Sequence, residues 1–166
     1  MAIIKPNNNT ISAITALPAA IPTGKVLQVV QGTTSTETST QSQTFVTTNM
    51  SVAITPSSTS NKVLVFSSIC IGSPGGSTNA DNMSVALFRD STSIFVSNAD
   101  ARLGIAATSS NPEITDIYPI TYQDSPSSTS AISYNIRIRS RDAGVITLND
   151  DGGSSSIIAM EIAGWL

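Results

Sequence analysis

The side chains of this chain that could do chemistry are eleven carboxylates and one thiol, with no histidine in 166 residues. Without histidine there is no Ser-His-Asp triad, no imidazole metal ligand and no imidazole pH switch. The single cysteine rules out zinc knuckles and iron–sulfur sites. In the run VLVFSSICI, Cys70 reads as a buried apolar thiol with no base to activate it. Two convergent carboxylates could still hydrolyse sugars. Yet Asp81, Asp90, Asp100, Asp124, Asp142, Asp150 and Asp151 fall among turn residues, where aspartate bonds its own backbone. Asp150 and Asp151 before Gly152 offer oxygen ligands for Ca²⁺, but not at EF-hand spacing. Glu161 reads as the acid inside a strand, placed to pair with Arg137 or Arg139 across a sheet or between subunits. The two GGS stretches, at 75–77 and 152–154, lack the lysine and the following helix of a phosphate-binding loop. These patterns predict no catalytic residue, no cofactor and no metal, and so no enzyme.

The elements that must position these groups are strands. Candidate runs are 25–31, 45–55, 62–71, 83–90, 93–98, 116–124, 131–140, 144–149 and 156–164, short and bounded by turn residues. The tract GTTSTETSTQSQT, 32–44, reads as a long surface loop with weak strand character. In AISYNIRIR, Ile132, Tyr134, Ile136 and Ile138 share one face, and Asn135, Arg137 and Arg139 share the other. KVLVFSSICI is apolar or small at nearly every position. Both its faces should therefore be covered, by a sandwich interior or by another subunit. The pentapeptide PSSTS occurs at 56–60 and at 126–130, each time between two strand candidates. Its proline presets a turn and its hydroxyls bond local backbone, so each copy reads as a hairpin connector. A second echo, NMSVAI at 49–54 and NMSVAL at 82–87, falls within strands.

Composition bounds the rest. Charged residues are 11%, against about 25% in ordinary domains. Serine and threonine make up more than a quarter of the chain. The net charge of −3 and the lack of a basic patch argue against nucleic acid. No apolar run reaches the length of a membrane helix. The sequons at Asn8, Asn49 and Asn82 are expected chance matches in a Ser/Thr-rich chain without a secretory signal. Residues 1–24 differ from the remainder. They hold Pro6, Pro18 and Pro22, with Ile11, Ile14 and Leu17 spaced by threes. That pattern suits an extended arm laid on a partner, followed by a β domain over 25–166.

Five stretches, GKVLQVVQ, ITPSSTSNKVLV, ALFRDST, DSPSSTSAISYNIRIRS and MEIAGWL, together resemble a module common in tailed bacteriophages. It occurs there at the C-terminus of tail fibres and as small virion structural proteins, and NNNTISAITALP resembles its leader. The resemblance spans Pro6 to Leu166. It implies an all-β fold: an antiparallel, jelly-roll-like sandwich that trimerises, similar to tumour-necrosis-factor or C1q heads, behind an N-terminal arm. It implies a non-enzymatic virion protein whose partners are its own copies and the major capsid protein or other virion proteins, with a host surface glycan as a further candidate. The lack of a fibre shaft upstream is the reason to expect a capsid decoration or head spike on the head surface, with a tail-fibre tip as the alternative. Ile3, Ile4, Ile11, Ile14 and Leu17 are the expected anchoring residues. Arg137, Arg139, Glu161, Trp165 and Leu166 are the expected oligomer contacts. The tyrosines Tyr118, Tyr122 and Tyr134 read as core, so a sugar site would have to sit in the loops 32–44 and 72–81.

Overall fold

The computed structural model describes residues 25–73, 83–97 and 114–164. The arm residues Ile3, Ile4, Ile11, Ile14 and Leu17, and Trp165 and Leu166 at the other end, lie outside them. The described chain forms the strands β1 (Val26–Thr34), β2 (Thr38–Thr40), β3 (Val46–Ile54), β4 (Lys62–Ser73), β5 (Met83–Arg89), β6 (Thr92–Val96), β7 (Ile114–Asp124), β8 (Ile132–Ser140), β9 (Ile146–Leu148) and β10 (Ser155–Ile162), with one 3-10 turn at Asp150–Gly152. All pairings are antiparallel.

Two sheets result. In the larger, β10 pairs with β1 on one side and β4 on the other, and β7 pairs with the second edge of β4. β9 continues the line of β10 along β4 at Ile71 and Gly72, and β2 lies on β9. The smaller sheet runs β3-β8-β5-β6. From β3 to β10 the chain alternates between the sheets except at the β5–β6 hairpin and at β9–β10. The order β1-β10-β4-β7 over β3-β8-β5-β6 is that of a jelly-roll sandwich.

Period-two patterning explains the layers. In β3, Thr48, Met50, Val52 and Ile54 are buried while Thr47, Asn49, Ser51 and Ala53 face out. They meet Val63, Val65, Ile69 and Ile71 of β4 and Ile157 and Ala159 of β10 in one core. Ile132, Tyr134, Ile136 and Ile138 of β8 all enter that core, as their alternation predicts. The NMSVAI and NMSVAL echo proves to be the two strands that flank β8, each presenting an equivalent inward trio: Met50, Val52, Ile54 and Met83, Val85, Leu87. Close approach of the layers is explicit at Gly32, where a Cβ would stand 2.1 Å from the Ser51 carbonyl oxygen.

Two expectations need correction. First, 32–44 is not a plain loop: β1 runs on to Thr34 and β2 occupies Thr38–Thr40. Threonine-rich sequence sits comfortably in an outer strand, so polarity alone misread it. Second, the PSSTS connectors are not hairpins. Each joins strands of opposite sheets, β3 to β4 and β7 to β8, so each is an arch across the sandwich. Their local bonding is as expected, with Ser60 N donating to Ser58 Oγ at 3.3 Å and Ser130 N to Ser128 Oγ at 3.0 Å. β4 is covered on its inner face throughout, and among the described residues the outer face of its first half is partly exposed. Leu64 is half-buried and Phe66 is 37% exposed.

Candidate functional site

Two carboxylates are buried at the arches, and both are committed to structure. Glu161, on the inner face of β10, is 1% exposed. Its Oε1 accepts from Ser57 N at 2.6 Å, Ser57 Oγ at 2.8 Å and Asn61 Nδ2 at 2.6 Å. Its Oε2 accepts from Gln28 Nε2 at 2.7 Å. Burial alone would raise its pKa, but the bonds from Gln28, Asn61 and Ser57 outweigh it and hold the group down at about 2. Glu161 therefore ties the first arch to β10 and β1 within its own chain. It pairs with neither Arg137 nor Arg139, because those side chains lie on the opposite, outer face of the other sheet. The knot extends to the chain end. Asn61 Oδ1 accepts from Gly164 N at 2.9 Å, and a Cβ at Gly164 would stand 2.1 Å from the Ser60 carbonyl oxygen.

Asp124 serves the second arch. Read from sequence as a turn aspartate, it is the last residue of β7 and is buried. Arg89 NH1 reaches both its oxygens, at 3.0 and 2.9 Å, Tyr134 Oη donates to Oδ2 at 2.7 Å, and Ser125 N donates to Oδ1 at 2.8 Å. Burial, then the bond to Asp124, pushes the Tyr134 hydroxyl far above the usual phenol range. The signal for this trio was an inward tyrosine, whose hydroxyl must find a partner inside.

At the opposite end, Asn149 adopts a left-handed backbone (φ 58°) and binds three elements. Its Nδ2 donates to the Thr34 and Thr36 carbonyls, its Oδ1 accepts from Ser155 Oγ, and its N–H donates to the Cys70 carbonyl. Cys70 lies buried under the following 3-10 turn, and burial, then the charge of Asp150, pushes the thiol up. Among the described residues, no three His, Cys, Asp or Glu side chains gather in a way that could hold a metal.

The surfaces differ sharply. On the outer face of the small sheet, the Arg137 guanidinium carbon sits 4.0 Å from the Phe88 ring centre. Arg139 sits 4.8 Å from that of Phe45, and the two rings meet edge to face at 5.8 Å. Arg137 also donates to Asn135 Oδ1 and to the Asp90 carbonyl, both at 3.0 Å. Phe88 is thereby buried although it points outward.

On the outer face of the large sheet, register aligns Val29, Met160, Leu64 and Gln123 in one row and Gln31, Ile158, Phe66 and Thr121 in the next. Thr33, Ser156, Ser68 and Pro119 form a third. No charged residue stands in these rows. At its polar end, a hollow of about 480 Å³ is lined by Thr33, Thr34, Ser35, Ser68, Ser154 and Ser156. Sequence reasoning did not single out Leu64, Phe66, Ile158 and Met160, because only the pairing register brings them together.

The site features thus define a jelly-roll sandwich with two committed carboxylates and one uncharged apolar sheet face. No family model matches the chain, and no curated protein matches it. Among solved structures, it is similar to a chain of the infectious bursal disease virus T13 particle, with 13% identity and a TM-score of 0.45 over 90% of this chain and 40% of that one. It is similar too to the VP2 subviral particle of the same virus, with 12% identity and a TM-score of 0.44 over 90% and 42%. The chain spans about two fifths of the length of those proteins.

Proposed function

We propose that this protein is a non-enzymatic structural protein of a tailed-phage virion, a trimer that decorates the head surface. In this reading the β domain, 25–166, forms the trimer, and residues 1–24 lie on the major capsid protein or another virion protein through Ile3, Ile4, Ile11, Ile14 and Leu17. The observation that carries it is the outer face of the large sheet, whose three central rows are apolar or uncharged with Lys62 only at the end, on a chain whose two arch carboxylates are spent on its own backbone and side chains. Such a surface suits assembly and offers a reacting substrate nothing. The five motifs that resemble the phage module point the same way. Low charge fits a coat that must hold across salt conditions, since few contacts depend on screened ion pairs.

The test is a binding assay on purified capsids that lack the protein. The full chain should bind, and the chain without residues 1–24 should stay folded but fail to bind. Equal binding by both would refute the arm's role. The hydroxyl-lined hollow beside Ser68 and Ser156 supports a second reading, a glycan-binding fibre tip. Specific glycan capture that is lost on Ser68→Phe, together with no binding to capsids, would favour it.

A further inference from the structure

We infer that the outer face of the large sheet, centred on Leu64, Phe66, Ile158 and Met160 and bordered by the edge strand β1, is the surface on which a second copy of this chain seats. This rests on the self-association proposed above and names where it happens.

β4 and β10 both carry large apolar side chains on two faces. The inner set is accounted for by the core. Among the described residues the outer set is not: Phe66 is 37% exposed, Leu64, Ile158, Met160 and Ile162 are half-buried, and Val29 beside them is 55% exposed. A strand apolar on both faces belongs in an interior or an interface, and the fold supplies only one interior face.

The face also specifies its occupant by charge. Around the apolar row stand Gln31, Thr33, Ser68, Ser156, Thr121 and Gln123, and Lys62 lies only at its end. A charged partner would be left unpaired against it. A second copy of this chain can meet it with its own uncharged β1 edge, VLQVVQGTT, the contact between two different patches that a threefold ring requires.

Among the described residues the sheet ends in two edges, which differ in the same sense. β7 is blunted by Pro119, and its Asp116 side chain already accepts from Ile117 N at 2.7 Å. β1, at the other edge, reads VLQVVQGTT, with neither proline nor charge. Proteins normally protect such an edge, and a neighbouring subunit would do so. Four strands at about 4.8 Å spacing, over eight residues at about 3.4 Å, give roughly 500 Å². Two such surfaces bury about 1,000 Å², the lower bound for a specific interface.

The test compares the light-scattering mass of the intact chain with that of two outer-face variants, Phe66→Asp and the milder Phe66→Ser with Met160→Ser. Asn49→Ala, exposed on the outer face of the small sheet, is the control. Circular dichroism verifies folding, and the milder variant decides if Phe66→Asp does not fold. The expected result is a multi-chain wild type, a single-chain mass of 17.2 kDa for the outer-face variants and no change for the control. A multi-chain mass retained by the outer-face variants overturns the assignment of this surface while leaving self-association intact. A single-chain wild type overturns both. Loss of association on deleting residues 1–24, with the outer-face variants still associated, would give the interface to the arm instead and overturn the inference.

Discussion

The two outer faces of this sandwich solve the same problem in opposite ways. Each sheet turns aromatic or aliphatic side chains outward. On the small sheet, Arg137 and Arg139 fold over Phe88 and Phe45, so the strand carries its own cover. On the large sheet, Phe66, Ile158, Met160 and Val29 have no such cover among the described residues. Long cationic side chains lay their stems along apolar surface while their heads stay wet, which makes the small-sheet face complete in a single chain. The lesson is that an outward apolar residue signals a partner only when no neighbour in register can seal it.

The largest expected effect comes from a change that both faces depend on. Glu161→Ala leaves Ser57, Asn61 and Gln28 without their acceptor and should cost about 3–5 kcal/mol in urea unfolding, as for breaking a buried charged network. A loss below about 1 kcal/mol would show that the first arch does not hold the sandwich. Next, Phe88→Ala removes the ring that both Arg137 and Phe45 contact. It should cost about 3 kcal/mol, within the range for deleting a buried aromatic.

Acid should reveal the same buried carboxylate. The folded pKa of Glu161, about 2, lies below its unfolded value, so its contribution is complete at neutral pH. It fades as pH falls from about 4.5 towards 2, and by linkage amounts to about 3 kcal/mol. Thermal melts across that window should drop for the native chain, and Glu161→Gln should flatten that drop. Smaller again is Arg139→Ala, at about 1 kcal/mol from one lost cation–ring contact. Smallest is Val29→Ser measured on the dissociated chain, within about 1 kcal/mol, because a small side chain that is 55% exposed has little burial to lose. Equal costs for Phe88→Ala and Val29→Ser would erase the contrast between the faces.

Much of this fold was legible in the sequence. The alternation in β8 assigns Ile132, Tyr134, Ile136 and Ile138 to the core without ambiguity. The double-sided apolarity of β4 implies a second covered face. What stayed hidden depends on pairing between distant segments. That PSSTS crosses between sheets, rather than turning within one, cannot be read from a local pentapeptide. The two copies even differ internally: Ser127 takes a positive φ of 51°, whereas Ser57 is held by Glu161. Asp124 looked like a turn residue because its partners, Arg89 and Tyr134, lie 35 and 10 positions away. The apolar row of the large sheet is likewise a product of register, since Val29, Leu64 and Met160 are neighbours only in space.

The most direct test of the account is sedimentation equilibrium of the intact protein over a wide dilution range. A species of three times the 17.2 kDa chain mass, persisting to low concentration, is the predicted result. A single-chain species at every concentration would contradict it, and would leave the exposed face of the large sheet without the partner assigned to it.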